Sequence, residues 1–403
     1  MNALLAAILI ILALAVLFIV GVLLDIYAGI KVKHPMLPEG LLKTGLSRLH
    51  YFTNGRDLFS DMKRTIENAH SHIHLSFFIF KADDVGNDWL DLLKKKAGEG
   101  VDVRLIVDYL NGGSVRKKRA ELTRTGVQVA FSGKPKFPFT FYYLNRRNHR
   151  KIAVIDGQTG FFGGFNVGRE YIGNKPETGS WQDNHLRVEG ESVADLQRLF
   201  LEDWRLATGQ TADGPGFFPP LKKGPSPLAL IATSGKQLEN IFAEKFAAAR
   251  SSIFIGSPYF IPSPKLMNVL LDCLDRGVEL TILLPIKKDH PIVKPASYLY
   301  LLPLVEKGAR VYHFYQGFYH SKVFVVDRRF CYTGTANFDR RSFFWNDELL
   351  GFTEDPALVR AIIDQSEKEI RERSVAVTLE TIQKRSPLDK LKTVCSGWLS
   401  PFL

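Results

Sequence analysis

Two short stretches hold the residues best equipped for chemistry. His149-Arg150-Lys151 is followed by four apolar residues and Asp156, and His320-Ser321-Lys322 by four more and Asp327. Both spell H-x-K-x4-D. One such match arises by chance in roughly a few of every hundred chains of this length, and two in about one per thousand. The stretches also share later marks: Gly163 and Gly334 lie seven residues beyond the Asp, and Asn166 and Asn337 ten beyond it. On a strand, residues i and i+2 face the same side, so an imidazole and an ammonium converge on one target. A turn after each Asp returns the chain as a second strand, which brings the Asn to the same face. Imidazole, cation and amide together suit the oxygens of a phosphate group. Asp156 and Asp327 complete the motifs and, ending their strands, are read as supports. No metal and no cofactor are expected, because no C-x2-C pattern appears and the lysines would repel a divalent cation.

The elements that must position these motifs are written twice. AHSHIHLSFFIF (69–80) resembles AARSSIFIGSPYFIP (248–262), and each ends an amphipathic helix and opens a β-rich segment. Phe59, Met62, Ile66 and Ala69 recur at helical spacing in the first copy, as do Leu238, Ile241, Phe242 and Phe246 in the second. GVDVRLIVD (100–108) then matches GVELTILLP (277–285), and TGVQVAF (125–131) matches KGARVYHF (307–314). Strands alternating with helices in this order predict an α/β fold of two pseudo-symmetric halves with mixed sheets. Residues 209–227 carry four glycines and five prolines, a density that opposes regular structure and marks a linker. The halves therefore span 40–208 and 228–403.

The chain of 403 residues is 45% apolar and 24% charged, which excludes a disordered or coiled-coil main body. Its net charge of +11 favours an anionic partner, lipid headgroup or nucleic acid. Ala3 to Leu24 has no charged or hydrogen-bonding side chain. At about 1.5 Å per residue such a helix crosses a hydrocarbon core. It is longer than the apolar core of a cleaved signal peptide and no basic residue precedes it, so residues 3–24 are read as a single transmembrane helix. Lys31, Lys33, Lys43 and Arg48 follow it, which places the bulk of the chain in the cytoplasm.

The paired motifs, with GG-x-N and GT-x-N after them, resemble the phospholipase D superfamily. GTANFDRRSFFWNDE (334–348), GSPYFIP, PIKKDH and WQDNHLRVEG are similar to stretches of bacterial cardiolipin synthases within it. The resemblance runs from about residue 40 to the end. It implies two phospholipase D-like α/β/α halves and a cell-membrane enzyme that transfers a phosphatidyl group between two phosphatidylglycerol molecules. His149 would attack phosphorus to give a phosphohistidine, and His320 would protonate the departing glycerol. Lys151, Lys322, Asn166 and Asn337 would hold the phosphate oxygens. An acid fixes the tautomer of each imidazole. Glu348, 28 residues past His320, matches the family's orienting acid there, and Asp183 is its counterpart for His149. His185, two residues on, is read as structural. The partners expected are phosphatidylglycerol and anionic membrane lipid, with no nucleic acid. The alternative is a phosphodiesterase of the same fold that transfers to water and hydrolyses phospholipid or nucleic acid.

Three features stand apart. Phe137–Lys151 interleaves aromatic and cationic residues just before the first motif and has no counterpart in the second half, so it either dips into lipid or packs as an aromatic loop. His34, His50, His70, His72 and His74 read as surface or core residues, while KKDH, ending at His290, precedes an expected lid. The terminal WLSPFL (398–403) either meets lipid or covers the core.

Overall fold

The computed structural model describes residues 2–31, 40–41, 44–214, 216–235, 237–287 and 293–399. Lys33, His34, Lys43, residues Lys288 to His290 and the tail from Ser400 onward lie outside them, as do the side chains of Trp398 and Leu399.

The apolar run forms the helix Asn2–Lys31. Its residues from Leu4 onward pass the length and hydropathy required of a membrane span, and none of the span's most apolar window is buried in protein. A core helix would hide its apolar side chains, and this one does not.

Each half then builds the same sheet. In the first, the strands His72–Phe77, Asp102–Asp108 and Gln128–Ser132 run parallel. Ile152–Ile155, Thr159–Gly163, His185–Gly190 and Gly45–Phe52 add to them in antiparallel order. The second half repeats this with Ser252–Gly256, Glu279–Pro285 and Arg310–Phe314 parallel. Val323–Val326, Phe330–Gly334, Asp347–Thr353 and Ser226–Ser234 follow antiparallel. Matching helix ends feed matching strands: Gly100 and Gly277 have φ of +89° and +81°, a left-handed turn that glycine makes without a Cβ clash.

Two features differ from the sequence reading. Gly45–Phe52 and Ser226–Ser234 were not expected as strands, and they pair with each other, Ser226 opposite Ser47, so the two sheets run on as one. The strand Ser226–Ser234 also starts one residue before the expected end of the linker at 227.

The helix Gly55–Glu67, capped by Asn54 accepting from the Asp57 amide, buries Leu58, Phe59, Met62 and Ile66. They meet Ile73, Leu75, Phe77 and Trp89 in a core that belongs to the first half. Leu238, Phe242 and Phe246 do the same in the second. A third core joins the halves: Ile152, Val154, Phe162 and Leu186 pack with Val323, Val325, Cys331 and Leu349. The approach is close, since a Cβ on Gly351 would come within 2.6 Å of the Phe162 ring. The strands that follow the two motifs therefore lie back to back.

Candidate active site

Both motifs sit at this junction. The H-x-K residues precede their ladders, because the paired strands begin only at Ile152 and Val323. They are instead held extended by the opposite half. His149 donates its backbone N–H to the Asp347 carbonyl at 2.9 Å, and Asp347 donates back to the Arg147 carbonyl at 2.8 Å. His320 donates to the Gln182 carbonyl at 2.7 Å, and Lys322 to the Asn184 side chain at 2.6 Å.

This crossing corrects the expected pairing of acids. Glu348 meets His149, with its two oxygens 3.0 and 3.1 Å from Nδ1. Asp183 meets His320, with Oδ2 2.5 Å from Nδ1. Each acid was expected to serve the histidine of its own half, and each serves the other's. The register explains why. Gly164 donates to the Asn184 carbonyl and Thr335 to the Leu349 carbonyl, so Asp183 and Glu348 occupy equivalent places at the seam, one residue before those carbonyls. Each place faces the partner half.

The acids differ in their support. Thr335 Oγ1 donates to Glu348 Oε2 at 2.5 Å, and Asn346 donates to Oε1 at 3.2 Å. Opposite Asp183 stands Gly164, where a Cβ would come within 1.9 Å of Oδ1. The half with the longer acid carries a hydroxyl, and the half with the shorter acid leaves it room. Asp183 receives instead the Asn184 amide at 2.8 Å, the Trp181 indole at 3.3 Å and Lys322 Nζ at 3.5 Å.

The site is buried and highly charged. His149, Lys151, His320 and Lys322 are all buried. Burial holds the His149 imidazole down at about 4 despite the carboxylate of Glu348, with the Lys151 ammonium adding to the effect. At neutral pH that ring is uncharged. Burial would raise both acids, but their hydrogen-bonded and charged neighbours win. Lys322 and His320 hold Asp183 near 2, and His149 and Lys151 hold Glu348 near 2. Burial pushes the Lys151 ammonium well below its usual range, with Lys322 repelling it and Glu348 opposing the shift. The charge of Lys322 acts on both His149 and Lys151, so the two motifs form one cluster.

The other expected residues are placed as follows. Lys151 Nζ turns back to the His149 carbonyl at 2.6 Å, and Lys322 Nζ contacts the His320 carbonyl. Asn166 accepts from the Ile79 amide at 2.9 Å, and Asn337 donates to Asp339 at 3.3 Å while its buried Oδ1 has no hydrogen-bond partner among the described residues. Asp156 and Asp327 lie at the far ends of their strands. Asp156 receives the backbone N–H groups of His70, Ser71 and His72, and Asp327 those of Arg250, Ser251 and Ser252. Neither shares the pocket with the histidines. His185 is buried in the strand His185–Gly190, its ring held near 3 by burial.

Several contributors went unread in the sequence. Arg150 is fully buried and reaches the Glu348 carbonyl, Asp203 at 2.7 Å and the Thr233 carbonyl at 2.9 Å. It rivets the halves beside His149, and breaking such a buried pair costs about 3–5 kcal/mol. Phe78 packs edge-on to His149, while Trp181 and Phe318 flank His320. The x of H-x-K carried the only sequence signal for Arg150, and one arginine among many is not distinctive.

A family profile described as "Cardiolipin synthase, PLD-like domain" matches residues 62–204 and 242–372. The sequence is 37% identical over 378 residues to the minor cardiolipin synthase ClsB of Bacillus subtilis (strain 168), covering 94% of each chain. It is 37% identical to cardiolipin synthase 2 of Staphylococcus epidermidis, over 88% of this chain and 74% of that one. Among solved structures, phosphatidylserine synthase of Haemophilus influenzae Rd KW20 superposes with a TM-score of 0.68 at 16% identity, covering 89% of this chain and 97% of that one. That last likeness is one of fold.

Proposed function

The chain belongs to the phospholipase D-like cardiolipin synthases, an enzyme family, and from that premise we propose that it joins two phosphatidylglycerol molecules into cardiolipin at a membrane, through a phosphohistidine. The observation that carries the mechanism is the pair of buried histidines, each backed at Nδ1 by a carboxylate of the other half. With Nδ1 so engaged, Nε2 of each ring is the atom this reading assigns to substrate, and Lys322 Nζ stands 3.4 Å from that atom of His320.

In the first step His149, uncharged and desolvated, attacks phosphorus through Nε2. The phosphorus–oxygen bond to glycerol breaks, and His320 gives its proton to the leaving oxygen. In the second step His320 takes the proton of a hydroxyl on the glycerol headgroup of another phosphatidylglycerol. That oxygen displaces His149 from phosphorus, forming cardiolipin and restoring both rings. Lys151 and Lys322 stand where charge grows on the phosphoryl oxygens, and an incoming phosphate favours their ammonium forms. Asn166 and Asn337 contribute by fixing the loops beside the pocket.

The test uses the full chain with phosphatidylglycerol vesicles and excess chelator. Cardiolipin and glycerol are expected in equal amounts. Phosphatidic acid in place of cardiolipin would make the enzyme a hydrolase, and loss of activity restored by a divalent ion would defeat the metal-free mechanism.

We place the helix Asn2–Lys31 across the membrane with the two halves in the cytoplasm, on the strength of Lys31 and the basic residues after it. Lys117→Cys and Glu239→Cys, each in a chain whose native cysteines are replaced, should resist a membrane-impermeant thiol reagent in intact cells. They should react once the cells are opened. Rapid labelling of intact cells would reverse the orientation.

A further inference from the structure

The anchor helix does more than tether. From Leu4 to Leu24 its side chains are exposed apart from the half-buried Val22, whereas Ile26 and Gly29 are buried. What covers them is the short helix Thr140–Asn145, in the aromatic segment that leads to His149. Asp25 Oδ1 accepts the Tyr142 backbone N–H at 2.9 Å. That helix has no side-chain cap of its own, since Phe139 stands at its N-cap, and Asp25 supplies an acceptor from another element. Gly29 backs onto the Tyr142 ring so closely that a Cβ would fall 2.4 Å from Cγ. The Phe18 ring meets the Phe141 ring edge-on at 5.8 Å.

These contacts fix depth as well as position. Phe18 lies seven residues before Asp25, about 10 Å up the helix axis, and inside the apolar run. A ring packed on Phe18 shares its level in the hydrocarbon. Phe137, four residues before Phe141 in the same segment, is 93% exposed. At the base of the same segment, Lys134, Lys136 and Arg146 line a cavity of about 390 Å³ together with Asp203 and Asp347, and of these cations Arg146 is already paired with Asp347. On its other side the segment is bolted to the site. Arg341 holds the Asn145 carbonyl at 2.8 Å, Arg146 pairs with Asp347 at 2.9 Å, and Asp347 holds the His149 N–H.

We propose that Asp25 is a positioning residue that latches the helix Thr140–Asn145 to the anchor, so that the two enter the bilayer as one wedge beside the active site. The proposal rests on the membrane-bound reading above. A phosphodiester must leave the headgroup plane to reach His149, and a wedge that parts the lipids there lets it do so while its acyl chains stay in the membrane.

The experiment compares Asp25→Ala, which removes the acceptor, with Asp25→Asn, which keeps a carbonyl oxygen. Both are assayed on long-chain phosphatidylglycerol vesicles and on a monomeric short-chain phosphatidylglycerol. Asp25→Ala should lose about tenfold on vesicles, through the surface-concentration KM, and less than about twofold on the soluble lipid. Asp25→Asn should recover most of the loss. An environment-sensitive dye on Phe137→Cys should emit to the blue in vesicles, and to the red once Asp25→Ala is added. Equal losses on both substrates, no loss at all, or an Asp25→Asn as poor as Asp25→Ala would each overturn the latch. Failure of the unmodified chain to make any cardiolipin would instead overturn the functional reading.

Discussion

His149→Ala should form no covalent intermediate with any donor, whereas His320→Ala should form one and hold it. With phosphatidylglycerol both variants should be nearly inactive. The first lacks the atom that bonds phosphorus, and the second cannot protonate a glycerol alkoxide, which leaves poorly on its own. General acid catalysis of this kind is worth about 10²–10⁴-fold. A phosphatidyl donor that releases p-nitrophenol needs little protonation, so it separates the two roles. With that donor His320→Ala should give one rapid burst of phenolate per enzyme and accumulate phosphate on His149, because the base for the second step is gone. His149→Ala should give no burst. The neutral, buried state of His149 is what the attacking role requires, since a protonated ring has no lone pair at Nε2. Label appearing on His320 in the His149→Ala protein would exchange the two assignments.

Much of this site was legible because repeats and strand periods are local. Two copies of H-x-K-x4-D located the pocket, and the β-run after each motif set the hairpin that the structure contains at 152–163 and 323–334. The strands Gly45–Phe52 and Ser226–Ser234 escaped notice for a physical reason. GLSRLHYF alternates weakly, and SPLALIATS opens inside a proline-rich stretch that argues for a loop. Neither string reveals that its partner is the other. The six-residue excess in the first half between the motif Asp and the orienting acid, 27 against 21, also obscured an equivalence that the ladder makes plain.

The pairing of acids was not written locally at all. Sequence gives the place of Glu348 on its own strand, but which imidazole it meets depends on how the two halves face each other. That is decided by the shared core of Ile152, Phe162, Val323 and Leu349, and by backbone bonds that run only between halves. A pseudo-symmetric dimer of motifs admits both solutions with the same local patterns. One reciprocal signal exists within the chain, Gly164 with Asp183 against Thr335 with Glu348. It matches acid length to the residue beneath it and says nothing of the histidine above.

The crossed pairing makes a prediction that the in-half pairing reverses. Glu348→Gln keeps the length of the side chain, and its amide can still bond Thr335 and Asn346. It loses the carboxylate that accepts from Nδ1 of His149, so the ring is free to carry its proton on Nε2, the atom that must attack. The Glu348→Gln protein should therefore behave as His149→Ala does, without burst and without phosphohistidine. Asp183→Asn removes the partner of His320, and this protein should behave as His320→Ala does, with a burst from the p-nitrophenyl donor and stalled turnover. Loss of an orienting acid in this arrangement is worth about 10⁴-fold in kcat. Both substitutions leave a buried lysine short of a counter-charge, Lys151 in one case and Lys322 in the other, so thermal melts should accompany the kinetics. A folded Glu348→Gln protein that bursts, beside a folded Asp183→Asn protein that does not, would mean that each acid serves the histidine of its own half after all. The burst follows the histidine that an acid touches, and the distances put Glu348 on His149 and Asp183 on His320.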